Sequence, residues 1–156
     1  VKVIDHLVLT CNNVPITTEW YAKHLGMKIE TFTSPSDPYS MPRTALKFGT
    51  HKFNLHQQGK EFEPKASSSL PGTACICFIL QRLIKRFSNN SIRVLEGDKI
   101  LNRAGALRKV RSIYFRDPDG NLIEQVGTIL LRHLNSLFHK IHTKNSTLFR
   151  LSSYTE

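Results

Sequence analysis

Ser112-Ile-Tyr-Phe-Arg-Asp-Pro-Asp-Gly-Asn-Leu-Ile-Glu124 is the stretch on which the fold is decided. Two short runs of β-branched, aromatic and apolar residues flank Asp117-Pro118-Asp119-Gly120. Proline at i+1 and glycine at i+3 suit a type I turn. The spacing therefore predicts a hairpin of two strands, residues 110–116 and 121–126. Alternate strand residues share a face, so Glu124 stands with Leu122 and Val126 while Ile123 points the other way. A carboxylate on an otherwise apolar face costs several kcal/mol to bury unless a partner or a metal meets it.

Upstream of this hairpin the order of elements occurs twice. Residues 4–10 (Ile-Asp-His-Leu-Val-Leu-Thr) read as a strand, with His6 on the face of Ile4 and Val8. Asn13 and Pro15 signal a helix start; Trp20, Tyr21, His24 and Leu25 continue at helical spacing and Gly26 ends it. Strands follow at residues 28–33, 43–48 and 51–57, the last two a hairpin turned near Gly49 and Thr50. Asn54 and His56 share a face of its second strand. Residues 58–72 hold Pro64, Pro71 and three serines, and separate the halves. The second half then gives a strand at 73–80 with Cys75 and Cys77 on one face, a short helix at 81–90 with Leu83, Ile84 and Phe87 as its apolar side, and a strand at 92–95. A loop-like stretch over 98–109 precedes the final hairpin. Both halves therefore read β-α-β-β-β, and the fold class is α+β. A buried His–Glu or Glu–Arg pair is the plain alternative to a metal for His6 and Glu124, and small core residues the plain alternative to ligands for the cysteines.

The chain has 156 residues, is 40% hydrophobic and carries a formal net charge of +10, enough apolar content for a buried core. No apolar run approaches the length of a membrane span. The three cysteines, Cys11, Cys75 and Cys77, form no disulfide framework and point to a reducing, intracellular compartment, cytoplasmic or mitochondrial. The first residues show no secretory leader, and the missing initiator Met leaves room for a preceding transit segment. The positive charge invites a nucleic-acid reading, but no zinc-finger spacing or RNA-binding aromatic signature accompanies it. Solubility or an anionic ligand explains it better.

The repeat, with His6 in the first strand and Glu124 in the last, resembles the vicinal oxygen chelate superfamily (glyoxalase I, extradiol dioxygenases, fosfomycin-resistance proteins). It looks closest to the glyoxalase domain-containing protein 5 group. The matching segments are residues 4–10, 21–27, 45–56, 59–66 (Gly-Lys-Glu-Phe-Glu-Pro-Lys-Ala) and 112–124. The resemblance implies two βαβββ modules, about 1–59 and 73–127, with curved mixed sheets around a cavity in a domain spanning 1–127. It implies one divalent metal ion (Zn, Ni, Mn or Fe) held by His6 and Glu124, with Glu124 catalytic and His56 as a further fourth-strand ligand. The fifth-strand ligand position falls on Cys75, where relatives carry a His or an acid. A thiolate suits Zn²⁺ and not the harder ions, so this departure either softens the site or ends it. Asn54 is then a substrate-binding candidate. The implied activity is a metal-dependent lyase or isomerase of glyoxalase type acting on a small metabolite with vicinal oxygens. The alternative is an inactive small-ligand-binding member of the fold. A homodimer is expected, because an open βαβββ sheet leaves a concave face to close.

Residues 128–156 have no counterpart in that resemblance. Leu130, Leu134, Leu137, Phe138 and Ile141 recur at helical spacing beside Arg132, His133, Lys140 and Lys144. A helix packed on its own domain, or a disordered extension, is preferred to a basic membrane-surface helix.

Overall fold

The computed structural model describes residues 1–35, 38–79, 92–96, 99–107 and 109–127. The expected helix over 81–90 and the extension over 128–156 lie outside these residues. Eight strands and one helix follow in the order β1 (His6–Cys11), α1 (Val14–Leu25), β2 (Lys28–Phe32), β3 (Arg43–Phe48), β4 (His51–Gln57), β5 (Cys75–Ile79), β6 (Leu101–Ala104), β7 (Lys109–Arg116) and β8 (Leu122–Val126). They form two four-stranded mixed sheets of matching topology, ordered β1-β4-β3-β2 and β5-β8-β7-β6. In each, the first strand runs parallel to the last and the remaining neighbours are antiparallel. This is the two-module α+β architecture expected from the repeat.

Local chemistry sets the limits of α1. The Asn13 side chain accepts the Ile16 amide at 3.1 Å and Pro15 occupies the first turn. Gly26 closes the helix with φ of 69°, its N–H donating to the Ala22 carbonyl. Lys23 in the last turn complements the helix dipole. The Gln57 side chain braces the entry, accepting from Val14 N and donating to the Asn12 carbonyl.

One core serves both sheets. Tyr21 meets Phe53 edge-on, and Phe48 and Phe53 of the first sheet both touch Phe78 of the second. Trp20 reaches Phe115. Leu9, Leu46, Leu55 and Ile123 complete this layer, each at most 6% exposed. The inner face of each sheet is thereby committed to the interior, and the polar candidates stand on the other face.

The turn at 117–120 joins the halves through its side chains. The Asp117 carboxylate accepts from the Tyr21 hydroxyl at 2.8 Å, from the Asn121 side chain and from the amides of Asp119 and Asn121. Asp119 accepts from the Asn12 backbone and side-chain amides and from the Thr17 hydroxyl. Residues that the sequence presents as turn formers are thus the polar clasp between the last hairpin and α1.

Two expectations for the second half are corrected. Residues 98–109 are not simply loop: Leu101–Ala104 forms edge strand β6, paired with β7. Residues 92–95 form no strand, contributing only an isolated bridge between Val94 and Phe115. Hydrogen bonding to β7 builds β6, because Leu-Asn-Arg-Ala shows no alternating apolar pattern of its own.

Candidate functional site

The parallel register of β1 with β4 sets His6 beside Lys52, Val8 beside Asn54 and Thr10 beside His56. His6, Asn54 and His56 therefore share the outer face of the first sheet, as strand alternation predicts. The His6 Nδ1 lies 2.6 Å from the Asp5 carboxylate. That contact, above all, holds the Asp5 carboxyl below the usual carboxylate range, and it leaves Nε2 of the ring for a ligand.

His56 is buried. Burial first, and the Arg43 guanidinium second, lower its pKa and keep the imidazole neutral. Phe62, from the connection between the halves, covers it: the two ring centroids are 5.4 Å apart and nearly perpendicular. Arg43 lies over the same Phe62 ring at 4.2 Å. The Asn54 Oδ1 and the Arg43 Nε are both buried and find no hydrogen-bond partner among the described residues.

On the second sheet Cys75 pairs with Leu122 and Cys77 with Glu124. Cys77, not Cys75, therefore stands directly beside the carboxylate. Burial, then the Glu124 charge, push the Cys77 thiol up. Ser112 Oγ donates to Glu124 Oε1, and Tyr114 is the cross-strand neighbour on the β7 side. Both cysteines are exposed residues with unbridged thiols, although the sheet face partly buries the Cys77 sulfur.

The sequence-derived ligands thus fall into two groups, His6, Asn54 and His56 on one sheet and Cys75 and Glu124 on the other. Among the described residues no three His, Cys, Asp or Glu side chains come together as a metal site. His6 backed by Asp5, and Glu124, held by Ser112 and standing beside Cys77, have the right chemistry for a divalent ion. Within one chain they do not fit it.

A cavity of about 390 Å³ opens where the first sheet's outer face meets the 58–72 connection, between Thr10 and His56 on one side and Ser68, Thr73 and Ala74 on the other. Sequence reading placed Cys77 on the face of Cys75 but put Cys75 first at the fifth-strand position, and it missed Ser112, Arg43, Phe62 and this cavity. Hairpin pairing around Asp117-Pro118-Asp119-Gly120 could have placed Tyr114 opposite Glu124 and Ser112 diagonally from it. Nothing local foretells the folding of Phe62 back onto His56.

Comparison with known proteins agrees with this architecture. The profile of the Glyoxalase/Bleomycin resistance protein/Dioxygenase superfamily matches residues 3–125. The glyoxalase domain-containing protein RDO1 of Mycosarcoma maydis is 43% identical over 128 residues, which is 80% of this chain and 67% of that protein. Virulence protein STM3117 of Salmonella typhimurium is 44% identical over 125 residues, 78% of this chain and 81% of that protein. Its crystal structure superposes with a TM-score of 0.73, covering 83% of this chain and 98% of that one. An integron cassette protein from the mobile metagenome of V. cholerae superposes at 0.72 with 42% identity, covering 81% and 95%. With this match running through nearly all of both sheets, the chain belongs to the glyoxalase/bleomycin resistance protein/dioxygenase superfamily.

Proposed function

We propose that the protein is a metal-dependent lyase or isomerase of glyoxalase type acting on a small metabolite with vicinal oxygens, working as a homodimer. The observation that carries this reading is the division of donors between two sheets in which, among the described residues, β1 and β5 are edge strands. Those edges carry exposed aliphatic residues, Leu7 and Val8 on β1 and Ile79 on β5. An unpaired apolar edge invites a second chain. Docking β1 of one copy against β5 of another would bring His6 to the Glu124 and Cys75 of the second copy, with His56 as a further donor.

One divalent ion there, with Zn²⁺ favoured by the thiol, would polarise two neighbouring substrate oxygens as a Lewis acid. This chain's own contributions are separate. Asp5 orients His6, Asn54 offers an unpartnered acceptor to substrate, and Glu124, steadied by Ser112, is the base that takes or returns a proton. The three free thiols suit a reducing compartment, cytoplasmic or mitochondrial. Within the superfamily the quoted segments favour the glyoxalase domain-containing protein 5 group.

The test is metal content and mass together. Full-length protein purified without chelators should run as a dimer at micromolar concentration and hold near-stoichiometric divalent metal. His6→Ala and Glu124→Ala should each lose it. A monomer that stays metal-free after reconstitution refutes the proposal. That result would favour the second reading, an inactive ligand-binding member. The Ser112 contact already made by Glu124 and the Cys75 departure support that alternative.

A further inference from the structure

We propose that the cavity under the 58–72 connection selects uncharged hydroxylated carbonyl compounds and rejects anions, because the connection's own carboxylates neutralise its one ammonium group. The inference deepens the reading above, which supplies the neighbouring oxygens, and adds discrimination by charge. Lys65 lines the cavity. Its Nζ lies 3.0 Å from Glu61 Oε2 and 3.7 Å from Glu63 Oε1. The Gly59 N–H, then Lys65, hold the Glu61 carboxyl down at about 2, so it is ionised throughout the physiological range. Two carboxylates against one ammonium leave no net positive charge for an incoming acid. The other nearby cation, Arg43, lies over Phe62 and does not line the cavity.

The remaining groups match a neutral oxygenated molecule. An ammonium has three N–H donors; Glu61 takes one and Glu63 lies 3.7 Å from the same nitrogen, which leaves a donor for the cavity. Ser69 and Thr73 give their protons to the carbonyls of Ala66 and Leu70, so toward the cavity they act as acceptors. The lining therefore offers both donors and acceptors, beside apolar surface at Val8, Pro64 and Leu70. A hydroxyl beside a carbonyl satisfies both kinds. A carboxylate would face the acceptors and the Glu61 charge.

Ligand-observed NMR titration of chelator-treated, full-length protein tests this without reference to metal. The probes are acetoin, which is uncharged, and lactate, of similar size and anionic. Acetoin should bind at least about fivefold more tightly than lactate, the scale of discrimination that an exposed charge contact supplies. Glu61→Gln keeps an oxygen for the Gly59 amide but frees Lys65. It should raise lactate affinity by about fivefold, less at high salt, with acetoin unchanged. Lys65→Met should shift the ratio the opposite way, further against lactate. Equal binding of the two probes by the wild type, an unchanged ratio in both variants, or no binding of either probe overturns the inference. Metal content, measured separately, tells this failure from failure of the enzymatic reading.

Discussion

The two sheets have the same strand order and the same parallel pairing of first and last strands, yet they bring different chemistry to their outer faces. The first presents His6, Asn54 and His56, and the second Cys75, Cys77 and Glu124. Their inner faces, by contrast, are interchangeable in kind, with Phe48 and Phe53 meeting Phe78 in one aromatic layer. Repetition of a fold unit fixes packing on the side that must be dry. The side left to solvent or ligand is free to diverge, and here each half holds part of a donor set. Beside this shared aromatic layer, a polar clasp at the 117–120 turn also joins the halves.

The strongest way to break the comparison is to cut that joint. Asp117→Ala should destabilise the protein by about 3 kcal/mol or more, because a buried carboxylate accepting four hydrogen bonds disappears and the Tyr21 hydroxyl is stranded. Tyr21→Phe should cost about half as much, and the double variant should be less than additive in chemical denaturation. Additive losses would show that the turn and α1 are not coupled through this contact. A smaller effect separates two glycines of the connection. Gly72 has φ of 74°, and a Cβ there would lie 2.8 Å from the Asp119 carbonyl oxygen. Gly59 has φ of 77° and open space around it. Gly72→Ala should therefore cost about 2 kcal/mol or more and Gly59→Ala about 1, the second reflecting left-handed backbone alone.

What the sequence made legible follows the same division. Strands β3 and β4 fall at residues 43–48 and 51–57 as expected, because apolar alternation and the Gly49-Thr50 turn agree. The faces of His6 and Glu124 were readable because a strand has a period of two. Strand β6 was not readable: only Leu101 in it is even half-buried, and its order comes from the ladder to β7. Asp117 and Asp119 were read as turn residues because their partners Tyr21, Asn12 and Thr17 lie about a hundred positions away. The same distance in sequence hid the separation of His6 from Glu124, since periodicity assigns faces and not the spacing between sheets.

The first sheet should also respond to pH in a way the second does not. His56 has its pKa lowered from 6.5 by burial and by Arg43. The unfolded chain therefore binds its proton more readily than the folded one, so stability rises with pH through this window. Unfolding free energy should fall as pH drops below about 6.5, toward the folded value. His56→Gln, which cannot take up that proton, should flatten the slope. His24 is shifted the same way by burial and Lys23, so some slope should persist until His24 is replaced as well. A slope identical in wild type and His56→Gln would show that His56 is not held neutral by the fold.

The smallest expected effect lies on the second sheet and reads the one contact that distinguishes its two thiols. Burial opposes ionisation of Cys77, and the Glu124 carboxylate opposes it further by placing a second negative charge beside the thiolate. Alkylation proceeds through the thiolate. At pH 8, Cys77 should therefore react with iodoacetamide several-fold more slowly than a free cysteine. Glu124→Gln removes the charge but keeps the shape, so the Cys77 rate should rise about two- to fivefold, with burial still holding it below the free value. Cys75 pairs with Leu122, one register step away, and its rate in the same digest serves as the internal reference, changing less. An equal change at both thiols would mean that Glu124 acts through a general loosening of the sheet. An unchanged Cys77 would mean that burial alone sets its reactivity and that the carboxylate is turned toward Ser112.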